Sequence, residues 1–313
     1  MAKIFITGIN GFVGSHLLKE YKDDEVFGLV KSGTDDSGLG EDVTTFRGDI
    51  LDQEGMKKII GDIRPDIVFH LAALTSPAES LKNPTDTINN NIQGQINILE
   101  ALRQNTLFGT KNLVVSSAEV YGDVSEKDLP ISEETMLLPN TPYAVSKVAQ
   151  DFLGYQYFIA YGIKSIRVRP FNHIGPGQAP VFVVSTFAKQ IALIEKGRQE
   201  KKIKVGNLET KRDFTDVRDV VRAYRLLMEK GKEGDVYNIG SGISYKISDV
   251  LDALLSFSTE HIEIERDEEL IRQTDIKELR CDISKIHNLT GWSPEIKLEQ
   301  SLRDTLDYWR NNV

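Results

Sequence analysis

Tyr143 and Lys147 stand four residues apart in Tyr143-Ala-Val-Ser-Lys147. On a helix that spacing places a phenol and an ammonium on one face. A phenol titrates at about pH 10 and is a poor base at neutrality. An ammonium within a few ångströms favours the phenolate and lowers that value. The pair is therefore a candidate general acid/base unit. Ser117, in Ser116-Ser-Ala-Glu-Val-Tyr-Gly122, supplies a third polar group for a substrate hydroxyl or carbonyl. A tyrosine and a lysine at this spacing carry little weight alone, so the elements that position them decide the reading.

The first of those elements lies at the chain start. Ile4, Phe5 and Ile6 form a short apolar run that reads as a buried parallel strand. Gly8, Gly11 and Gly14 follow, and a helical pattern begins near Ser15. Strand, glycine turn and helix N-terminus together make a pyrophosphate site. The glycines allow the tight turn, the approach of backbone to phosphate and the packing of helix on strand. The first gap is one residue longer than in the G-x-G-x-x-G fingerprint. Around this turn Asn10, Phe12 and Val13 are expected to touch the dinucleotide. Lysine can also hold a nicotinamide ribose, which gives Lys147 a second task.

Later strands read in order. Val26–Val30 is the second, and the residue after it selects the cofactor. Lys31-Ser32 stands there, with no acid before Asp35. That favours NADP(H), with NAD(H) the alternative; Lys31 either accommodates a 2′-phosphate or is a solvated surface lysine. Gly33 to Glu41 reads as a loop. Asp49 and Ile50 close the next unit near the adenine. Asp66 to Ala73 is a strand with small residues at its end, where Leu71, Ala72 and Ala73 are expected to lie against the dinucleotide; His70 reads as a packed strand residue. Ile88 to Leu102 carries a helical stripe, Asn112 to Ser117 is a strand, and a helix runs from Tyr143 through Phe158. Five strand–helix units without a repeat imply a doubly wound parallel sheet.

The texture changes from Arg167 to Gln178, with two prolines and two glycines in close succession. Further strands are expected over Ile203–Leu208 and Asp235–Ile239, and amphipathic helices over Ile247–Phe257 and Leu298–Trp309. The division expected is a dinucleotide-binding domain of residues 1–170 plus about 203–240. A smaller, discontinuous α/β substrate domain would take about 171–202 plus 241–313.

Composition narrows the classes. The 313 residues are 40% hydrophobic and 27% charged, ordinary for a soluble globular protein. A net charge of −9 argues against nucleic acid as a partner, and an anionic substrate would need a local basic pocket. Cys281 is the only cysteine, which excludes an internal disulfide and a cysteine metal cluster. The five histidines lack ligand spacing, so no metal is expected. No apolar run approaches a membrane span and no signal peptide is apparent, which makes a cytoplasmic protein the expectation.

Thr7 to Leu17 (T-G-x-x-G-F-x-G-x-H-L), His70 to Ala73 (H-L-A-A), Ser116 to Gly122 (S-S-x-E-V-Y-G), Tyr143 to Lys147 and Arg169 to Asn172 (R-P-F-N) occur in one order. In that order and spacing the whole chain resembles the extended short-chain dehydrogenases/reductases that act on nucleotide sugars, which have a Rossmann fold. The resemblance implies that Tyr143 is the acid/base, Lys147 its partner and ribose anchor, and Ser117 the hydrogen-bonder of the reacting oxygen. It further implies that Asn91 supports the active-site water and lysine, that Pro170 lies on the cofactor, and that the protein is a homodimer packed through helices around Ile92–Leu102 and Tyr143–Phe158.

Asn172 to Gln178, Phe187 to Ile191, Val205 to Leu208 and Lys211 to Asp219 resemble the GDP-mannose branch, and within it the GDP-4-keto-6-deoxy-D-mannose reductases that make GDP-D-rhamnose. A GDP-sugar would then be the substrate. Its diphosphate needs cations, for which Lys189, Arg212 and Arg272 are candidates. Thr75, Asn172, Val205, Asn207 and Asp275 are further substrate contacts implied by the likeness. Where the family usually has R-P-x-E, this chain has Arg272-Gln-Thr-Asp275.

Glu119 keeps a rival reading. Sugar-nucleotide 4,6-dehydratases use a carboxylate at that position to abstract the C5 proton, and reductases of the GDP-rhamnose type also carry Glu there. The second-half motifs, and a glycine turn without the Gln-Asp pair of GDP-mannose dehydratases, favour the reductase; the 4,6-dehydratase and a nucleotide-sugar epimerase are the alternatives. A non-catalytic protein that retains only the fold would have no chemical use for Ser117, Tyr143 and Lys147.

Overall fold

The computed structural model describes every residue except 41 and 271–275. Six strands follow one another first: β1 (Lys3–Thr7), β2 (Glu25–Val30), β3 (Val43–Arg47), β4 (Ile67–His70), β5 (Lys111–Val115) and β6 (Lys164–Pro170). Then come β7 (Asn172–Ile174), β8 (Lys202–Val205), β9 (Lys211–Asp216), β10 (Val236–Ile239), β11 (Ser244–Lys246), β12 (Glu263–Arg266) and β13 (Glu278–Leu279). The central sheet has seven strands in the order β10-β6-β5-β4-β1-β2-β3, all paired parallel. The chain enters at β1, runs to the β3 edge, then returns past β1 to build the other half. Strand order thus reverses between β1 and β4, the crevice where open α/β sheets bind ligands.

Ten α-helices are described: α1 (Phe12–Glu20), α2 (Gln53–Ile63), α3 (Pro77–Lys82), α4 (Pro84–Gln104), α5 (Pro142–Tyr161), α6 (Val183–Glu195), α7 (Val217–Lys230), α8 (Ile247–Leu255), α9 (Ser284–Thr290) and α10 (Leu298–Asn312). They cover both faces of the sheet, which is why β1 is apolar on both sides. Ile4 and Ile6 pack with Leu17 of α1, Val220 and Tyr224 of α7 and Trp292. Phe5 points the other way, toward Met56 of α2, Ile98 of α4 and Tyr157 of α5. This is a doubly wound Rossmann sheet, as the strand–helix alternation implied.

A second core gathers the remaining elements. Val184 and Phe187 of α6, Leu251 of α8, Leu302 and Trp309 of α10, and Ile203 and Val205 of β8 close on one another. β9 pairs with β7, β11 and β13, and β8 with β12. The segment 203–240 is divided between the two cores: Tyr237 and Ile239 join the large sheet, whereas Ile203 and Val205 do not. The strand expected to reach Leu208 ends at Val205. At Gly206 a Cβ would lie 2.6 Å from the Leu270 carbonyl oxygen, so backbone contact replaces strand pairing there.

Candidate active site

The cofactor side is a backbone construction. Gly8 has φ +69, which lets Gly11 N–H close the turn onto its carbonyl at 3.0 Å. A Cβ on Gly14 would come 2.3 Å from Gly8 O and 2.6 Å from Ile9 O, so only glycine lets α1 sit this close. Gly11 caps α1 with no side-chain acceptor for the first N–H groups. Those donors at the positive end of the helix therefore suit a pyrophosphate, and the cradle fits a dinucleotide. Gly8, Gly11, Phe12, Val13 and Gly14 line a cavity of about 550 Å³, as do Leu71, Ala73 and Pro170.

Other expected cofactor residues lie outside that lining. Asn10 ties the turn to the loop after β2, donating to Thr34 Oγ1 at 3.2 Å and Asp35 O at 3.0 Å. Arg47, at the end of β3, forks onto both oxygens of Asp36 at 2.8 Å. Lys31 is exposed in the same loop. Asp49 closes the turn ahead of α2 by accepting Leu51 N–H at 2.9 Å, Ile50 is buried against α4 at Gly94, and Ala72 packs on Gly8.

The reacting groups sit where β5 and α5 meet the cavity. Thr141 caps α5 by accepting Ala144 N–H at 3.1 Å, and Pro142 occupies the first turn. These two residues fix the start of the helix and hence the place of Tyr143. Ser117, Glu119, Tyr143 and Lys147 all line the cavity. Ser117 lies close enough to Tyr143 to act on its phenol, and the Lys147 ammonium donates to Val115 O at 3.0 Å, 5.9 Å from the Tyr143 ring centroid.

The electrostatics differ from the expectation for an isolated pair. Burial pushes the Tyr143 phenol above its usual range; the nearby Ser117 hydroxyl opposes this and the Glu119 charge adds to it. Burial likewise brings Lys147 down to about 7. The expected lowering of the phenol by the lysine does not appear among the causes of its shift, which desolvation dominates. Tyr143 holds its proton, which suits an acid. His70 packs against Thr7, Oγ1 to Nδ1 at 2.8 Å, and burial holds it at about 3, so it is neutral, as a strand residue should be.

Asn91 takes a bracing position. It exchanges hydrogen bonds with the Leu74 backbone at 2.8 and 3.0 Å and donates to Ser146 Oγ at 2.9 Å. Ser146 in turn donates to Tyr143 O at 2.7 Å. Asn91 therefore joins the 73–75 loop to the first turn of α5 and is not among the lining residues.

Below the reacting groups lies a buried charge network. Asp151, two turns along α5 from Tyr143, accepts from Arg167 at 2.5 Å and Arg169 at 2.7 Å. Arg169 also donates to Tyr121 Oη at 2.9 Å, and Tyr121 donates to Asn238 at 2.7 Å. These bonds hold α5, β6, β10 and the 3-10 turn Ala118–Tyr121, which carries Glu119, in one arrangement.

The opposite wall comes from scattered segments. Thr75, Asn172, Asn207 and Arg212 line the cavity. Arg212 also donates to the carbonyls of Lys211 at 2.9 Å and Ile276 at 2.8 Å, holding backbone. Lys189 instead lies 5.1 Å from the Trp309 ring centroid on the far face of α6. Val205 is buried in the second core, and strand parity gives the cavity position to Lys204, which pairs with Asp267 at 3.3 Å. Arg272 and Asp275 lie outside the described residues. His173, Gln178, Leu208 and Thr210 also line this wall. The motifs around them are visible in the sequence, but which of their side chains face inward is not. Among the described residues no group of three possible metal ligands occurs and no helix is long and apolar enough to cross a membrane.

Comparison with known proteins agrees with this architecture. GDP-6-deoxy-D-mannose reductase of Pseudomonas aeruginosa is 38% identical over 311 residues, covering 99% of this chain and 98% of that protein. The structure of RMD from Pseudomonas aeruginosa complexed with NADPH superposes with a TM-score of 0.86 at 36% identity, covering all of both chains. The UDP-glucose 4-epimerase of Thermus thermophilus in complex with NAD gives a TM-score of 0.90 at 28% identity, covering 99% of this chain and 100% of that one. Residues 5–305 match the family described as GDP-mannose 4,6 dehydratase. With its Rossmann sheet, its glycine cradle and a match along nearly its whole length, the chain belongs to the GDP-mannose 4,6 dehydratase family.

Proposed function

We propose that this protein reduces the C4 keto group of GDP-4-keto-6-deoxy-D-mannose to GDP-6-deoxy-D-mannose (GDP-D-rhamnose), with NADPH as the favoured reductant and NADH the alternative. The observation that carries the reading is Tyr143, a phenol kept protonated by burial that lines one cavity with Ser117 and Lys147. Full-length likeness to a GDP-6-deoxy-D-mannose reductase supports it. When bound, the dinucleotide supplies the hydride. Tyr143 gives its proton to the developing alkoxide, and Ser117 hydrogen-bonds the same oxygen. Lys147, held by Val115 O, orients the ribose and stabilises the phenolate left behind. Gly8 to Gly14 and α1 hold the pyrophosphate, while Asn172, Lys204, Asn207 and Arg212 face the sugar nucleotide.

The test follows the near-ultraviolet absorbance of NADPH with the keto-sugar, beside a sample given GDP-mannose alone. Oxidation only with the keto-sugar is expected. A 4-keto product formed from GDP-mannose without net NADPH use would replace this reading by the 4,6-dehydratase one, favoured by Glu119 in the cavity beside Tyr143.

The dinucleotide unit in this reading comprises residues 1–170 with about 217–240, joined by α9 and Trp292, and the elements of the second core form the sugar-nucleotide unit. The helix α5 exposes Val145, Phe152, Tyr155 and Ile159 along one stripe, which suits a homodimer seam. Sedimentation of wild type and Ile159→Glu tests it: a dimer that becomes monomeric is expected, and a wild-type monomer refutes the seam.

A further inference from the structure

His16 belongs to the glycine-turn motif yet is not among the residues that line the cavity. It lies in the second turn of α1 and is buried. Its Nε2–H donates to Pro176 O at 2.9 Å. A carbonyl can only accept, so this nitrogen carries the proton, and Nδ1 is buried without a hydrogen-bond partner. The ring also meets Phe12 edge-on, with centroids 5.7 Å apart at 83°. Phe12 in turn stacks on His173, 5.9 Å away at 9°.

Pro176 and His173 belong to the segment 172–178, which walls the sugar-nucleotide side. That segment is fitted closely onto the cofactor side. Gly175 has φ +152, and a Cβ there would lie 2.8 Å from Val217 Cγ1 and 3.8 Å from Phe12 Cζ. Its other end is tied to the second core, where Ser185 of α6 donates to Gln178 O at 2.5 Å and Trp309 donates to Ser185 Oγ at 2.9 Å. Within the segment Gln178 donates to His173 O at 2.8 Å. His16 therefore grips, from outside the cavity, a wall that also touches the dinucleotide turn through Phe12.

We propose that His16 is a positioning residue that sets the 172–178 wall against the dinucleotide turn, so that seating the dinucleotide strengthens binding of the sugar nucleotide. The proposal rests on the reading of that wall as the sugar-nucleotide side. A pyrophosphate on the first turn of α1 restrains Phe12 and the helix, and His16, one turn on, restrains Pro176. The ordering of 172–178 is then already achieved when the second ligand arrives, which gives positive coupling without a change of shape. By linkage, the sugar nucleotide tightens the dinucleotide by the same factor.

GDP is the probe, since it is inert under either the reductase or the dehydratase reading. Its affinity is measured by calorimetry with and without saturating NADP⁺, on the full chain, for wild type, His16→Ala and His16→Phe. The expected result is GDP binding about tenfold tighter with NADP⁺ in wild type. In both variants that ratio falls to within about twofold of unity, while GDP affinity without NADP⁺ is unchanged. A generally loosened structure would weaken both measurements and leave the ratio in place. Hydrogen exchange in wild type gives an independent readout: NADP⁺ alone slows exchange across 172–178. Equal GDP affinity with and without NADP⁺, variants that keep the wild-type ratio, or unchanged exchange would each overturn the proposal. Should GDP not bind at all, the reading of the wall falls and the proposal with it, whereas binding without coupling refutes His16 alone.

Discussion

The two sides of the cavity are made of different material. The cofactor side is backbone: a positive-φ glycine, a glycine without room for a methyl group, and the N-terminus of α1. The sugar side is side chains, contributed by 172–187, 204–212 and the loop after β4. Backbone sites tolerate almost no substitution at a few positions and are indifferent elsewhere. Side-chain sites spread their contribution over many residues, each replaceable at moderate cost. Between the two sides stand Ser117, Tyr143 and Lys147, whose environment neither side determines alone.

That contrast can be broken in order of expected effect. Tyr143→Phe should lower kcat by about a thousandfold, since it removes the proton donor, while NADPH affinity stays within about twofold. Stopped-flow turnover and cofactor fluorescence read the two separately, and normal turnover would remove Tyr143 from the chemistry. Gly14→Ala should weaken NADPH binding about 10- to 100-fold, the equivalent of about 1–3 kcal/mol for one overpacked methyl. Retained affinity would mean the cradle is not a backbone site.

The sugar side predicts smaller and divided effects at neighbouring positions. Lys204→Ala should raise the sugar-nucleotide KM about tenfold, the worth of one charge-assisted contact, with kcat intact. Val205→Ala should instead cost about 2 kcal/mol of stability and leave KM alone. If the two phenotypes were exchanged, the strand parity assigned to β8 would be wrong.

Lys147 predicts a slope with pH. Its folded value of about 7 is below its ordinary 10.5, so between those limits the unfolded chain binds a proton that the folded chain does not. Stability of the protein without ligands should therefore rise with pH across that window. Urea unfolding at several pH values should show the rise, and Lys147→Met should flatten it. Least of all, Lys189→Ala should leave KM within about twofold, because its ammonium sits over Trp309.

What the sequence disclosed follows the same divide. The glycine turn, the strand–helix alternation and the Tyr143–Lys147 spacing are local patterns, and the structure contains each of them. Lys204 and Val205 are adjacent, and only the pairing of β8 decides which faces the cavity. Lys189 lies two residues past Phe187 on α6, enough helical rotation to turn it to another neighbour. Desolvation of Tyr143 depends on the packing of distant segments, and no spacing rule carries that quantity.

Asp151 shows how such packing constrains descent. One carboxylate serves two buried guanidiniums, so the order in which the three residues can change is not symmetric. Replacing Arg167 or Arg169 leaves Asp151 with a partner. Replacing Asp151 first leaves two buried cations without the carboxylate they share, holding only the neutral partners Gly234 O, Tyr121 Oη and Glu133 O. Lineages that alter this corner must lose an arginine before the acid, and the path through sequence space runs in one direction.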